Sequence, residues 1–150
     1  MDEELINRNK NINRGFRKLE VWKEAIELYV LVTKKIRTLD LVPFKVRAQI
    51  EDSIFSVHSN IAEGYGRRSL KEYIQFINIS LSSLAENYSQ IFALHAIGDI
   101  ERKWFDEYDK QQYSLENKLI QLNKTTIAKL DKNDWKNDYI LREIIEKYES

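Results

Sequence analysis

The sequence predicts an all-α protein, and three observations carry that expectation. Its 150 residues include one Pro and four Gly, too few for the turns that a sheet of this size needs. Apolar residues recur three and four apart over long stretches, the period of a one-sided helix. With 43% hydrophobic and 32% charged residues, the composition is that of a globular domain able to bury about two-thirds of its unfolded surface.

Residues 1–15, polar and Asn-rich, are expected as a mobile arm or a short peripheral helix. A bundle of helices over residues 16–130 follows. The first helix is expected from about Lys18 to Leu39, with Trp22, Ala25, Tyr29, Val32, Ile36 and Leu39 on one stripe. Pro43 disfavours a helical Val42 and suits the first turn of a new helix, so a corner is placed there. The second helix runs from about Phe44 to Glu63. Val46, Ile50, Ser53, Val57 and Ile61 form one stripe; Ala48, Phe55 and Ala62 form another, which predicts packing on more than one neighbour.

The segment SNIAEGYGRRSLKEY, Ser59 to Tyr73, reads as a corner. Gly64 is expected to take the left-handed conformation that ends a helix, and Gly66 to let the chain turn again. Ser69 stands three residues before Glu72, the spacing of a capping box. A lone G-x-G with no strand before it is weak evidence for a phosphate loop.

In the third helix Leu70, Ile74, Ile77, Leu81, Leu84, Tyr88, Ile91 and His95 step four and three along a seam. From Tyr73 to Ile97 the single formal charge is Glu86, and the other face offers Phe76, Ile79, Ser80, Ser83 and Phe92. Eight Ser, Asn and Gln residues argue against a membrane span. The helix is therefore expected to be enclosed by protein on several sides, part of that cover coming from another subunit. Gly98 ends it. A fourth helix is expected from about Ile100 to Leu130, and residues 131–150 form an appendage with a short helix from about Trp135 to Tyr148.

Chemistry is sparse. There are 24 basic and 24 acidic residues, which argues against a strong sequence-independent grip on nucleic acid. Cysteine is absent and His58 and His95 are the only histidines, so no metal site and no cofactor is expected. No run near the start resembles a signal peptide, and a cytoplasmic location is expected. Glu63 and Glu86 stand in apolar surroundings. Acid–base work is one reading; the favoured one is structural, with Asn60, Ser56 and Ser83 as hydrogen-bonding partners. Arg67, Arg68 and Lys71 lie where a helix start favours an anion, so an RNA or DNA phosphate and a solvated corner stand as equal readings. Arg8, Lys10, Arg14, Arg17 and Lys18 make a second basic cluster in the arm.

Gln49-Ile50, Ser53, Ser56-Val57 and the run Ser59-Asn60-Ile61-Ala62-Glu63-Gly64-Tyr65-Gly66-Arg67 resemble the hallmark of the four-helix bundle proteins also called 23S rRNA intervening-sequence proteins. Phe16 to Leu28 and Glu72 to Asn87 are similar to the family's opening and third helices. The resemblance implies an up-and-down four-helix bundle assembling as a ring-like homopentamer, without enzymatic activity. Some members, the accessory variability proteins of diversity-generating retroelements, bind nucleic acid and a reverse transcriptase, which makes both candidate partners here. Glu51 and Asp52 stand where the family usually has basic residues, and His58 where it often has Pro. The expected function is a non-enzymatic oligomeric scaffold with RNA or DNA as candidate ligand; the alternative is a protein-interaction oligomer with no affinity for nucleic acid.

Overall fold

The structure, a computed structural model, describes residues 1–67 and 69–132. Arg68 and the expected helix from Trp135 to Tyr148 lie outside the described residues. Among those described there are five α-helices and one 3-10 segment: α1 (Glu3–Asn7), the 3-10 segment Ile12–Lys18, α2 (Glu20–Ile36), α3 (Phe44–Gly66), α4 (Leu70–Ala96) and α5 (Arg102–Lys132). No described helix is long and apolar enough to cross a membrane.

The start of the chain is built from two short capped pieces. Asp2 caps α1 by accepting from the Leu5 amide, and Asn11 caps the 3-10 segment by accepting from that of Arg14. The Arg17 guanidinium binds these pieces together, donating to the carbonyls of Leu5 (2.9 Å), Arg14 (3.3 Å) and Asn9 (3.4 Å). Ile6 buries its side chain beneath them.

From α2 onward each long helix packs on the next, and α5 returns to lie against α2. The shared core holds Ala25, Leu28, Val32 and Ile36 of α2, Ile50, Ile54, Val57 and Ile61 of α3, Ile77, Leu84 and Ile91 of α4, and Tyr108, Leu115 and Leu119 of α5. Each takes its place by the three–four spacing that makes one face of a helix apolar. Across the α2–α5 seam, Lys118 bridges Glu20 and Glu24 at 2.7 and 2.9 Å, and Lys35 meets Glu101 at 2.8 Å.

The corner between α3 and α4 differs from its sequence reading. Neither Gly64 nor Gly66 is left-handed; both lie within α3, which runs three residues past the expected end. Gly64 is needed for space. A Cβ there would stand 2.6 Å from Cβ of Phe76 and 3.2 Å from Cδ2 of Tyr73 on α4, so the two helices approach through its missing side chain. Ser69 does cap α4, its hydroxyl accepting from the Glu72 amide. At the far end Gly98 is left-handed, at φ +95°, and the amides of Gly98 and Asp99 bond to the carbonyls of His95 and Leu94, closing α4 with a Schellman turn.

A second difference concerns the faces of α4. Ser80 and Ser83, expected on its outer side, are buried against α3, where the Ser80 hydroxyl donates to the Val57 carbonyl at 3.0 Å. The side left open in one chain carries Gln75, Ile79, Ser82, Ala85, Ser89 and Phe92.

Gly64→Ala should destabilise the fold by about 1–3 kcal/mol, the usual cost of overpacking, because the clashing atom is a Cβ fixed to the opposing backbone. Gly66→Ala meets nothing within 4 Å and serves as the neutral control. Urea unfolding of the two variants checks the pair.

Candidate functional site

Two clusters of polar residues are candidates for function, one along the α3–α4 seam and one at an end of the bundle. In the seam, Ser56 and Ser83 share a hydrogen bond of 2.9 Å, and the Asn60 amide donates to the hydroxyl and carbonyl of Ser56. One turn further, Asn87 donates to Ser53 Oγ (3.1 Å) and the Ile50 carbonyl (3.3 Å) while accepting from the Tyr108 hydroxyl at 2.7 Å. Ser53 in turn donates to Gln90 at 2.7 Å. Burial pushes the Tyr108 phenol far above its ordinary range, so it acts as a donor and not as an acid.

The two glutamates stand elsewhere than expected. Glu63 is exposed and pairs with Arg67; Glu86 is exposed and accepts from Gln90 at 3.4 Å. Neither takes a hydrogen bond from Asn60, Ser56 or Ser83, because both project outward from the seam. The sequence reading left Asn87, Gln90 and the core-facing Tyr108 out of the polar network, of which Asn87 is the centre. Their signal was positional: each falls on the same helix faces as the apolar core residues. Above the seam an open groove of about 420 Å³ is lined by Gln49, Asp52, Ser53, Ser56, Ser83 and Glu86. It holds carboxylates, amides and hydroxyls with no imidazole or thiol to activate a nucleophile. No group of three or more described His, Asp or Glu is placed to hold a metal ion.

The basic clusters, separate in sequence, come together in space. The ring of Phe16 lies 5.3 Å from that of Trp22 and 6.4 Å from that of Tyr65, which anchors the 3-10 segment to the last turn of α3. Arg14, Arg17 and Lys18 therefore share one end of the bundle with Arg67 and with Lys71, exposed on the first turn of α4. The antiparallel course of α5, marked by its Lys118–Glu20 and Asn123–Asn78 contacts, brings Lys124, Lys129 and Lys132 to the same end.

These cations are not equally available. Arg67 lies 3.0 Å from Glu63 and 3.8 Å from Glu72, with its guanidinium 5.0 Å from the centre of the Phe76 ring. Arg17 spends its donors on backbone carbonyls. The Arg67 pairs are exposed, and ion pairs of that kind contribute about 1 kcal/mol or less, so a multivalent anion can compete for the guanidinium.

Both histidines are built into the packing. His95 stacks on Phe105 and its Nδ1 lies 2.7 Å from the Ile100 carbonyl. His58 sits between Tyr29 and Phe55, ring centres 5.4 and 4.7 Å away, with Nε2 buried and lacking a hydrogen-bond partner. That burial lowers its pKa below the ordinary imidazole value of 6.5. The unfolded chain then binds the proton more readily than the folded one. Stability from this site is complete above about pH 6.5 and is lost as pH falls from there toward the depressed folded value. The melting temperature should drop more between pH 7.5 and 5 in the native protein than in His58→Phe, which keeps the ring packing and removes the titration.

A search among curated proteins finds no match. A protein-family model described as 23S rRNA-intervening sequence protein matches residues 17–121, from the 3-10 segment through most of α5. The matched span takes in the glycine contact, the serine–asparagine seam and the Arg67 corner. On that evidence the chain belongs to the 23S rRNA-intervening sequence protein family.

Proposed function

We propose that the protein is a non-enzymatic, self-associating helical scaffold, a ring-like homopentamer, whose basic end takes RNA or DNA. One observation carries the self-association: the open side of α4. Along about 32 Å of helix, from Gln75 to Ala96, it exposes Ile79, Phe92 and small residues, with Glu86 as its single charge. A helix face bound for water normally carries charged residues, as Arg102, Lys103, Asp106, Glu107 and Lys110 do on the first turns of α5. A second copy laid on this face would remove apolar surface and would cover one carboxylate, Glu86, for which it would have to supply a cation.

The nucleic-acid part rests on a different observation, the convergence of the 3-10 segment, the α3–α4 corner and the last turns of α5 at one end. Asp2, Glu3 and Glu4 at the start of α1 and Glu20 at the start of α2 lie at the same end and offset part of this charge. In a closed ring of parallel subunits every copy would present that end in the same direction, so weak individual contacts to phosphate would add along a strand. Glu63 and Glu72 temper each contact and favour a salt-sensitive interaction over a tight one.

Light scattering should report about five times the chain mass of 17.9 kDa. Ala85→Arg, on the open face, should reduce the particle toward a single chain while leaving helix content unchanged; Ser83 is the wrong position to probe, being buried within the chain. A single-chain particle for the native protein would end this reading.

For nucleic acid, affinity for RNA or duplex DNA should fall steeply with salt. Arg67→Ala with Lys71→Ala should lower both the affinity and the magnitude of the salt slope, by up to about 2 for duplex DNA. Glu63→Gln, which releases Arg67, should strengthen binding. No measurable binding at low salt would leave the protein-interaction oligomer as the function.

A further inference from the structure

The corner between α2 and α3 carries the two most exposed large hydrophobic residues of the described chain. Leu41 is 95% exposed and Phe44 77%, on either side of Pro43. This is not a loose loop. Val42 is 3% exposed, tucked into the core between them. The amide of Leu39 bonds to the Ile36 carbonyl and that of Val42 to the Leu39 carbonyl, both at 3.1 Å. The Thr38 hydroxyl caps the Lys35 carbonyl at 2.7 Å, and the Pro43 carbonyl receives the amides of Val46 and Arg47. A leucine and a phenylalanine are thus held out from a fixed backbone. Apolar groups already ordered before contact lose little freedom on binding.

We infer that this Leu41–Phe44 knob docks on the open side of α4 in a second copy of the chain. The inference rests on the self-association proposed above and names the two surfaces that meet. Their shapes and charges correspond. The α4 face has Ile79 and Phe92 half exposed, with Ser82, Ala85 and Ser89 between them, leaving room for larger side chains. Lys45 follows the knob, exposed and without an ion pair among the described residues. Asp52 and Glu86 line the groove of about 420 Å³ beside the α4 face. Apolar side chains meet the uncharged stretch and the ammonium meets the carboxylates. Asp40, which precedes the knob, has no counterpart there and stays in water.

Knob and face are different surfaces of one subunit, so the contact is head-to-tail. Contacts of that kind build rings when the rotation closes, and filaments when it does not. A symmetrical pairing of two α4 faces would build only dimers.

Sedimentation velocity on the full chain tests this. The native protein should sediment as an assembly. Leu41→Asp with Phe44→Asp should sediment as a single chain with unchanged helix content, since both side chains are exposed in the isolated subunit. Lys45→Ala should weaken assembly more at low salt than at high salt. The decisive measurement mixes the knob-defective double variant with face-defective Ala85→Arg. Each retains one good surface, so an equimolar mixture should give a two-chain particle. If the native protein assembles and the double variant assembles as well, the knob is overturned and the self-association stands. Two defective variants that stay single when mixed overturn the pairing of these two surfaces. A native protein of one chain overturns both.

Discussion

The close approach of α3 and α4 constrains the rest of the molecule. At the basic end the two backbones meet across Gly64, where even a methyl group would collide with Phe76. Toward the other end the contact passes to side chains: Ser80 on the Val57 carbonyl, Ser56 on Ser83, Asn87 on Ser53 and Ile50. Each pair steps down α3 as it steps up α4, so every contact enforces the same antiparallel register. A neutral hydrogen bond adds only about 1 kcal/mol net, but leaving one of these buried groups unpaired costs about 1–3 kcal/mol. A slip of one turn along the seam would strand several of them together. The seam therefore selects one alignment more strongly than it adds to total stability, and Tyr108 extends that selection to α5 through Asn87.

What the sequence disclosed follows from how local each signal is. Ser69 with Glu72, Pro43 and Gly98 act within one turn of themselves, and each end of α4 and the start of α3 fell close to where those residues placed them. The length of α4 and part of its core face, Leu70, Ile77, Leu84 and Ile91, were legible from the apolar spacing, whereas the buried Tyr73, Ser80, Asn87 and Leu94 lie outside that seam. Gly64 was misread for a physical reason. A glycine near a helix end satisfies a left-handed turn and a close helix crossing equally well, and only the opposing Phe76 and Tyr73 decide between them. Glu63 and Glu86 were misplaced because apolar sequence neighbours on a helix lie on other faces, so local composition says little about a side chain's own exposure. Asn87 and Gln90 escaped notice because their partners are 34 to 37 residues away on another helix.

The same distinction applies to charge. Counted along the chain, 24 basic and 24 acidic residues cancel. In the fold, the 3-10 segment, the start of α4 and the end of α5 gather cations at one end, an arrangement invisible until the antiparallel course of α5 and the Phe16–Tyr65 contact are known. Arg67 shows how finely that end is balanced. Its carboxylate neighbours and the Phe76 ring hold the guanidinium in place without burying it.

These features are linked through α4. A helix that spent its serines and asparagines on solvation would need a partner face of ordinary apolar residues. Here three of them, Ser80, Ser83 and Asn87, turn inward to align the seam, while Asn78, Ser82 and Ser89 stay exposed. The outward side is left with alanine, serine and a few large apolar groups, too little charge to be a preferred water-facing surface. The polar residues that make one fold unambiguous inside the chain are thus separate from those on the outward face, Gln75, Asn78, Ser82 and Ser89, where Glu86 is the one charge. The inward register of α3 on α4 and the low charge of the outward face arise from the same distribution of side chains around one helix.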